Sequence, residues 1–267
     1  MRLSATRTSV SSVGAGSSAD ADALAYIAAV EAADGQALED GVKDAYTGFI
    51  VGAKSDGIWS AIKASCVLVG ARTLPGALVP LVGSAPTNYN FVSGDYDRET
   101  GLMGNGSTKR LDSSRDNASE PQDDRHLAVY RTVAESRGAT GALIGFGGST
   151  AGDSMLLYTS SQRFYRLAFT SGGDQSDSTF TTGLVGGSRS NGTEVVGRYA
   201  GSSATYASVS ATPTSGNIVV FSRGSAASPG SATDARIAFY SIGESIDLAK
   251  LDARVTNLVS AIGAAIS

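Results

Sequence analysis

Between residues 20 and 70 the apolar positions recur at helical spacing. Leu24, Ile27 and Val30 share one face of a helix that Asp20 or Asp22 can cap and Gly35 can end. A second helix is predicted from Gln36 to Val51, with Leu38, Val42, Ala45 and Phe49 on one face, although Gly41 and Gly48 weaken it. A third is predicted from Asp56, with Ile58, Trp59 and Ile62 apolar, and Gly70 and Pro75 close the helical region. From Pro86 the period changes. Short runs rich in Val, Ile, Tyr, Phe and Thr alternate with Gly, Ser and Asn turns, giving about eleven strands between Tyr89 and Ser241 with no helices among them. Arg163 to Phe169 shows partial period-2 alternation, and Asn191-Gly192 and Ser215-Gly216 mark turns. After Gly243 the helical period returns in Ile246, Leu248, Leu251, Val255, Leu258, Val259 and Ile262, with Ser245 or Asp247 as cap.

The expected fold is mainly β, an antiparallel β-sandwich with an N-terminal helical region and a C-terminal amphipathic helix. The expected divisions are a flexible tail over 1–19, a helical anchoring region over 20–83, a sandwich over 84–243 and the terminal helix over 244–267. The apolar stripe of that helix must be covered. It packs either on the N-terminal helices of its own chain or on another subunit.

Composition agrees with this picture and narrows the chemistry. Charged residues make up 17% of the 267 and glycines number 33, which suits many short strands joined by turns. The net charge is −4 and no segment forms a basic patch, so a nucleic-acid partner is not expected. The most apolar window, Ile58 to Val82, is interrupted by Lys63, Arg72, Pro75 and Pro80, so membrane insertion is not expected. Met1 to Ala19 lacks the apolar run of a signal peptide, and a soluble protein made in the cytoplasm is expected.

Cys66 is the single cysteine and His126 the single histidine. Cys66 lies in an apolar run and reads as a small buried hydrophobe, and His126 reads as a surface or turn residue. Together they cannot supply a typical zinc site or a nucleophile with its base and orienting acid. Gly145 to Thr150 lacks the lysine and context of a phosphate loop and reads as a hairpin turn. Calcium needs only oxygen ligands. Asp95-Tyr96-Asp97 places two carboxylates on one face of an extended stretch, which makes Asp95 and Asp97 the candidate calcium ligands. The alternative is solvated loop acids paired with nearby arginines. No other cofactor is expected.

Several segments resemble structural proteins of tailed phages and phage-like particles, of the tail fibre, spike or attachment type. The resemblance is carried by Ala25 to Leu38, Asp56 to Trp59, Ile62 to Cys66, Asn90 to Arg98, Gly104 to Lys109, Pro213 to Asn217, Ala238 to Leu248 and Leu251 to Val255. It implies a concanavalin- or laminin-G-like sandwich and no catalytic residues. Residues 135–206 do not carry it and are expected to face the target. The resemblance implies a virion location and a bacterial cytoplasm as the place of synthesis. It implies self-association, a trimer above all, and contact with other virion proteins through the N-terminal helices. A host cell-surface glycan is an expected partner. Glycan binding on a sandwich uses exposed aromatics with polar neighbours, and Tyr158, Tyr165, Tyr199 and Tyr206 are the candidates, with Phe164 beside them; the alternative for each is a core or cross-strand packing residue. A capsid decoration or tail adaptor protein is the alternative, and a polysaccharide depolymerase built on Asp95 and Asp97 with their neighbouring aspartates, or on Asp174 and Asp177, is a third possibility.

Overall fold

The computed structural model describes residues 20–135, 140–148, 150–176 and 181–267. In chain order the helices are α1 (Ala21–Asp34), α2 (Asp40–Ser55), α3 (Leu74–Ala77) and α4 (Leu248–Ile266). The strands are β1 (Ile62–Val67), β2 (Pro80–Val82), β3 (Thr87–Tyr89), β4 (Tyr96–Asp97), β5 (Gly101–Met103), β6 (Arg110–Asp116) and β7 (Arg125–Val133). They continue with β8 (Gly141–Phe146), β9 (Ser154–Tyr158), β10 (Gln162–Arg166), β11 (Phe169–Gly172), β12 (Asp174–Ser176) and β13 (Gly183–Arg189). The last are β14 (Glu194–Tyr199), β15 (Ser202–Ser210), β16 (Asn217–Val220), β17 (Arg223–Gly224), β18 (Pro229–Gly230) and β19 (Arg236–Gly243).

These elements form three layers. A ten-stranded antiparallel sheet runs β11-β15-β14-β13-β7-β19-β1-β2, with β5 joining β19 and β4 joining β5. One of its faces meets a seven-stranded sheet in the order β12-β10-β9-β8-β16-β6-β3, and the other is covered by the helices. The expected mainly β sandwich with helices at both ends of the chain is therefore the architecture.

Alternation within single strands builds the two cores. On β1, Ala64 and Cys66 join the core between the sheets and Val67 joins the core under the helices. On β19, Tyr240 and Ile242 face the second sheet, while Ala238 and Phe239 face the helices. A register shift between Ile237 and Phe239 accommodates the change of face.

The first helix is capped by Asp20, whose Oδ1 accepts from the Asp22 and Ala23 amides. It ends at Gly35, whose φ of 68° is the left-handed conformation that glycine adopts freely. The second helix begins at Asp40 rather than Gln36, and buries Val42, Ala45, Tyr46, Phe49 and Ile50. Gly41 is tolerated because α4 passes close: a Cβ there would lie 2.8 Å from Ala265 Cβ.

Residues 56–70 depart from the helical expectation. Only Trp59–Ala61 forms a short 3-10 turn, and Ile62–Val67 is a strand. Its apolar run has residues committed to both faces, so it satisfies a helical count while obeying the period of a central strand. The strand pairs Ile62 with Gly243 and Val67 with Phe239. Residues 20–83 and 84–243 thus contribute strands to one sheet across the boundary expected at residue 83.

The terminal helix is capped by Asp247, whose Oδ1 accepts from the Ala249 and Lys250 amides. Leu251, Val255, Leu258 and Ile262 pack into the core formed with α1, α2 and the sheet. Of the two expected coverings, the chain's own helices provide it. Arg254 pairs with Asp56 at 2.6 Å, and Arg198 on β14 pairs with Asp252 at 2.8 Å, fixing α4 at both flanks. Among the described residues no helix is long and apolar enough to cross a membrane.

The expected strand over Arg163–Thr170 breaks in two, β10 and β11. Ala168 takes a left-handed φ of 44°, and the Leu167 carbonyl accepts from the buried Arg189 guanidinium at 2.9 Å. The expected tail over 1–19 lies outside the described residues.

Candidate functional site

Three of the four candidate tyrosines lie inside the sandwich. Tyr158, Tyr165 and Tyr199 are buried in the core between the sheets. Tyr158 Oη lies 2.9 Å from Thr233 Oγ1. Burial pushes the Tyr158 and Tyr165 hydroxyls up from their ordinary pKa. Tyr199 accepts from the Thr181 amide at 2.7 Å, and the Arg163 guanidinium carbon stands 3.2 Å from its ring centroid. Tyr206 is half-buried and stacks on Tyr165 at 5.4 Å with a 7° interplanar angle. Phe164 is buried as well. The expectation of exposed aromatic platforms at Tyr158, Tyr165 and Tyr199 is therefore corrected. Alternation on β9, β10 and β14 turns these rings inward, which residue type alone does not report.

Asp95 and Asp97, the candidate calcium ligands, are each engaged by donors of their own chain. The Asp95 carboxylate pairs with the Lys109 ammonium and accepts from the Val92 amide at 2.9 Å. Partial burial pushes its pKa up, but Lys109 and that amide outweigh it and hold the carboxyl below its ordinary value. Asp97 Oδ1 accepts from Thr100 Oγ1 at 2.7 Å and from the Thr100 and Glu99 amides at 2.8 and 3.0 Å. Both carboxylates face hydrogen-bond donors, whereas a hard cation needs a shell of acceptor oxygens. Among the described residues no group of three or more His, Cys, Asp or Glu converges.

The reactive side chains are wired into the fold. His126 is on β7 and buried, contrary to its expected place in a surface turn. Its Nδ1 donates to the Glu244 carbonyl at 2.5 Å, and its Nε2 lies 2.7 Å from Ser241 Oγ. Burial pushes its pKa down to about 4. The serine–histidine spacing matches that of a nucleophile and base. His126 is 1% exposed and Ser241 0%, so no substrate reaches the pair in this conformation. The sequence hid this pair because its members stand 115 residues apart. Cys66 is buried as expected, and burial pushes its thiol up to about 12.

Two buried arginines tie loops to the sandwich. Arg125 donates to Asn117 Oδ1 at 3.1 Å, Ser154 Oγ at 3.1 Å and the Pro121 carbonyl at 3.0 Å. Arg189 donates to the Leu167 and Ser208 carbonyls, both at 2.9 Å. The glycine-rich turn between β8 and β9 closes on itself. The Asp153 carboxylate takes the Gly148 and Thr150 amides at 2.9 and 2.7 Å, occupying the donors that a phosphate would need. Asp174, a proposed depolymerase acid, pairs with Arg166 at 3.3 Å, and Asp177 lies outside the described residues.

The concave feature with mixed chemistry lies elsewhere. An open cleft of about 530 Å³ is bounded by α1, the 3-10 turn, β1 and the sheet-edge strand β2. Tyr26, Trp59 and Leu81 give it an apolar lining, and Asp22, Ser60 and Lys63 add polar groups. Trp59 is half-buried, with Lys54 Nζ 5.7 Å from its ring centroid. The Tyr26 hydroxyl is buried and has no hydrogen-bond partner. A second groove of about 370 Å³ runs between α2 and α4 past Gly41, Gly48 and Asn257. In the sequence Trp59 reads as part of a helical stripe. Its neighbours Ser60 and Lys63 were the available sign of a polar rim.

No family model matches the chain, and no curated protein matches it. Among solved structures, the NanB sialidase of Streptococcus pneumoniae is 12% identical over 57% of this chain and 27% of that one, with a TM-score of 0.39. Its K499G mutant is 11% identical over the same shares, with a TM-score of 0.42. A Trypanosoma rangeli sialidase is 13% identical over 83% of this chain and 40% of that one, with a TM-score of 0.32. The chain therefore spans well under half the length of these enzymes, and likenesses of this size assign no function.

Proposed function

We propose that this chain is a non-enzymatic structural protein of a phage-like particle, a fibre- or spike-type component that attaches to a glycan on the host surface. The observation that carries the reading is the open cleft beside Trp59, on a scaffold whose histidine, cysteine and deeply buried arginines serve the fold itself. Such a molecule acts by presenting a surface rather than by turning over a bond. The segments that resemble virion proteins support it too: they supply most of α1, β1 and β19 and the first turns of α4, and so part of the helical layer and the centre of the large sheet. Self-association, with a trimer as the expected state, belongs to the same proposal and would raise weak single-site binding by roughly 10²–10⁴. The stripe of α4 is already covered within the chain, so copies meet through other surfaces.

A second reading is a capsid decoration or tail adaptor protein with a purely structural role. Burial of Tyr158, Tyr165 and Tyr199 favours it, because the aromatic groups of the segment expected to face the target serve packing. Negative-stain imaging of particles labelled on this chain, combined with a glycan array, separates the two. A label at the distal end of a tail or fibre together with array binding is expected. A label spread over the head with a blank array would overturn the attachment reading.

A further inference from the structure

We propose that the cleft beside Trp59 binds a neutral pyranose sugar, whose apolar ring face lies against the indole and whose hydroxyls meet the polar rim. This inference rests on the glycan-attachment reading above and names the site and the sugar class. Three observations carry it. The first is size: about 530 Å³ falls within the roughly 300–1,000 Å³ of small-molecule sites. The second is the lining. Trp59 supplies aromatic surface above the buried Tyr26 ring, with Ala25 and Ala29 of α1 forming a low exposed wall beside it. Aromatic side chains offer large apolar contact area with a polar tip, which matches a ligand with one apolar face and a hydroxylated edge.

The third observation is charge, and it selects the ligand class. Each ionised group at the rim has an ion-pair partner from the same chain, with Lys54 shared between Asp22 and Asp20. Asp22 pairs with Lys54 at 2.6 Å, and Lys63 pairs with Glu244 at 3.1 Å while donating to the Ser60 carbonyl at 2.8 Å. An anionic sugar would have to compete with Glu244 for Lys63 and would meet the Asp22 carboxylate across the cleft. A cationic ligand would meet the mirror problem. A neutral polyol can accept from Lys63 and donate to Asp22 without breaking either pair.

Trp59 is the single tryptophan of the chain, so emission excited at 295 nm reports this cleft alone. The full-length protein is titrated with methyl glucoside, methyl galactoside, methyl mannoside, N-acetylglucosamine and N-acetylneuraminic acid, alongside a glycan array. At least one neutral sugar is expected to change the emission saturably, and N-acetylneuraminic acid is expected to leave it unchanged. Trp59→Ala, followed by calorimetry, should weaken binding about tenfold or more. Ala29→Arg fills the cleft from an exposed helical position and keeps Trp59 as reporter. It should abolish the response while the circular dichroism spectrum is retained. Array binding that is unaffected by Ala29→Arg, with silent Trp59 emission, would overturn this inference and leave the attachment reading standing. A response to N-acetylneuraminic acid alone would overturn the neutral class. A blank array with silent emission would overturn both.

Discussion

Shortening Leu251 to Ala tests how the helical layer is held. The side chain is fully buried on the second turn of α4, within the core shared by α2, α4 and the large sheet. Deleting a leucine side chain from such a site removes its transfer free energy and leaves a cavity, for a loss of about 2–5 kcal/mol. A whole domain is stable by only about 5–15 kcal/mol, so the effect is large. Leu251→Asp adds an unpaired buried carboxylate and should prevent folding. The assay is urea unfolding followed by circular dichroism at two protein concentrations tenfold apart. Because the stripe is covered within the chain, the unfolding midpoint should fall by the same amount at both concentrations. A loss below about 0.5 kcal/mol, the range of surface substitutions, would mean that α4 is not packed as described. A Leu251→Ala loss that differs between the two concentrations would mean that another subunit completes the layer.

Other outcomes follow from the same geometry. His126 is neutral in the fold with a pKa of about 4, against 6.5 unperturbed, so the unfolded chain takes up its proton first. Stability should therefore fall as pH drops from 6.5 towards 4, by up to about 3 kcal/mol, and urea midpoints of His126→Gln should lack that portion of the pH dependence. Cys66 should resist iodoacetamide at pH 8 in the folded protein and react fully in urea, as read by mass spectrometry; labelling of the folded chain would contradict its burial. A fragment of residues 84–267 lacks β1 and β2, which leaves β19 unpaired on one edge from Phe239 to Gly243 and strips the sheet of α1 and α2. It should show no cooperative unfolding transition, and a cooperatively folded fragment would refute the shared-sheet description.

The sequence by itself determined the kinds of elements and where their character changes. Helical spacing over 20–55 and 246–262 announced α1, α2 and α4, because one apolar face of a helix leaves a period that residue order displays directly. Turn residues between β-branched runs announced an antiparallel sandwich for the same reason. The sequence also marked Cys66 as buried, since the run around it offers no polar partner. It did not report which face of a strand looks inward. Tyr158, Tyr165 and Tyr199 have the composition of an exposed binding surface, and strand pairing turned them into core.

Nor did it separate a central strand from a helix over Ile62–Val67, because burial on both faces erases the distinction in period. Contacts between distant residues were the province of tertiary structure alone. The Ser241 hydroxyl reaching His126, the covering of α4 by α2, and the meeting of Asp22, Trp59, Lys63 and Leu81 around one cleft all join segments far apart in the chain. A local pattern records what each residue needs from its surroundings. Only the packed fold decides which residues supply it.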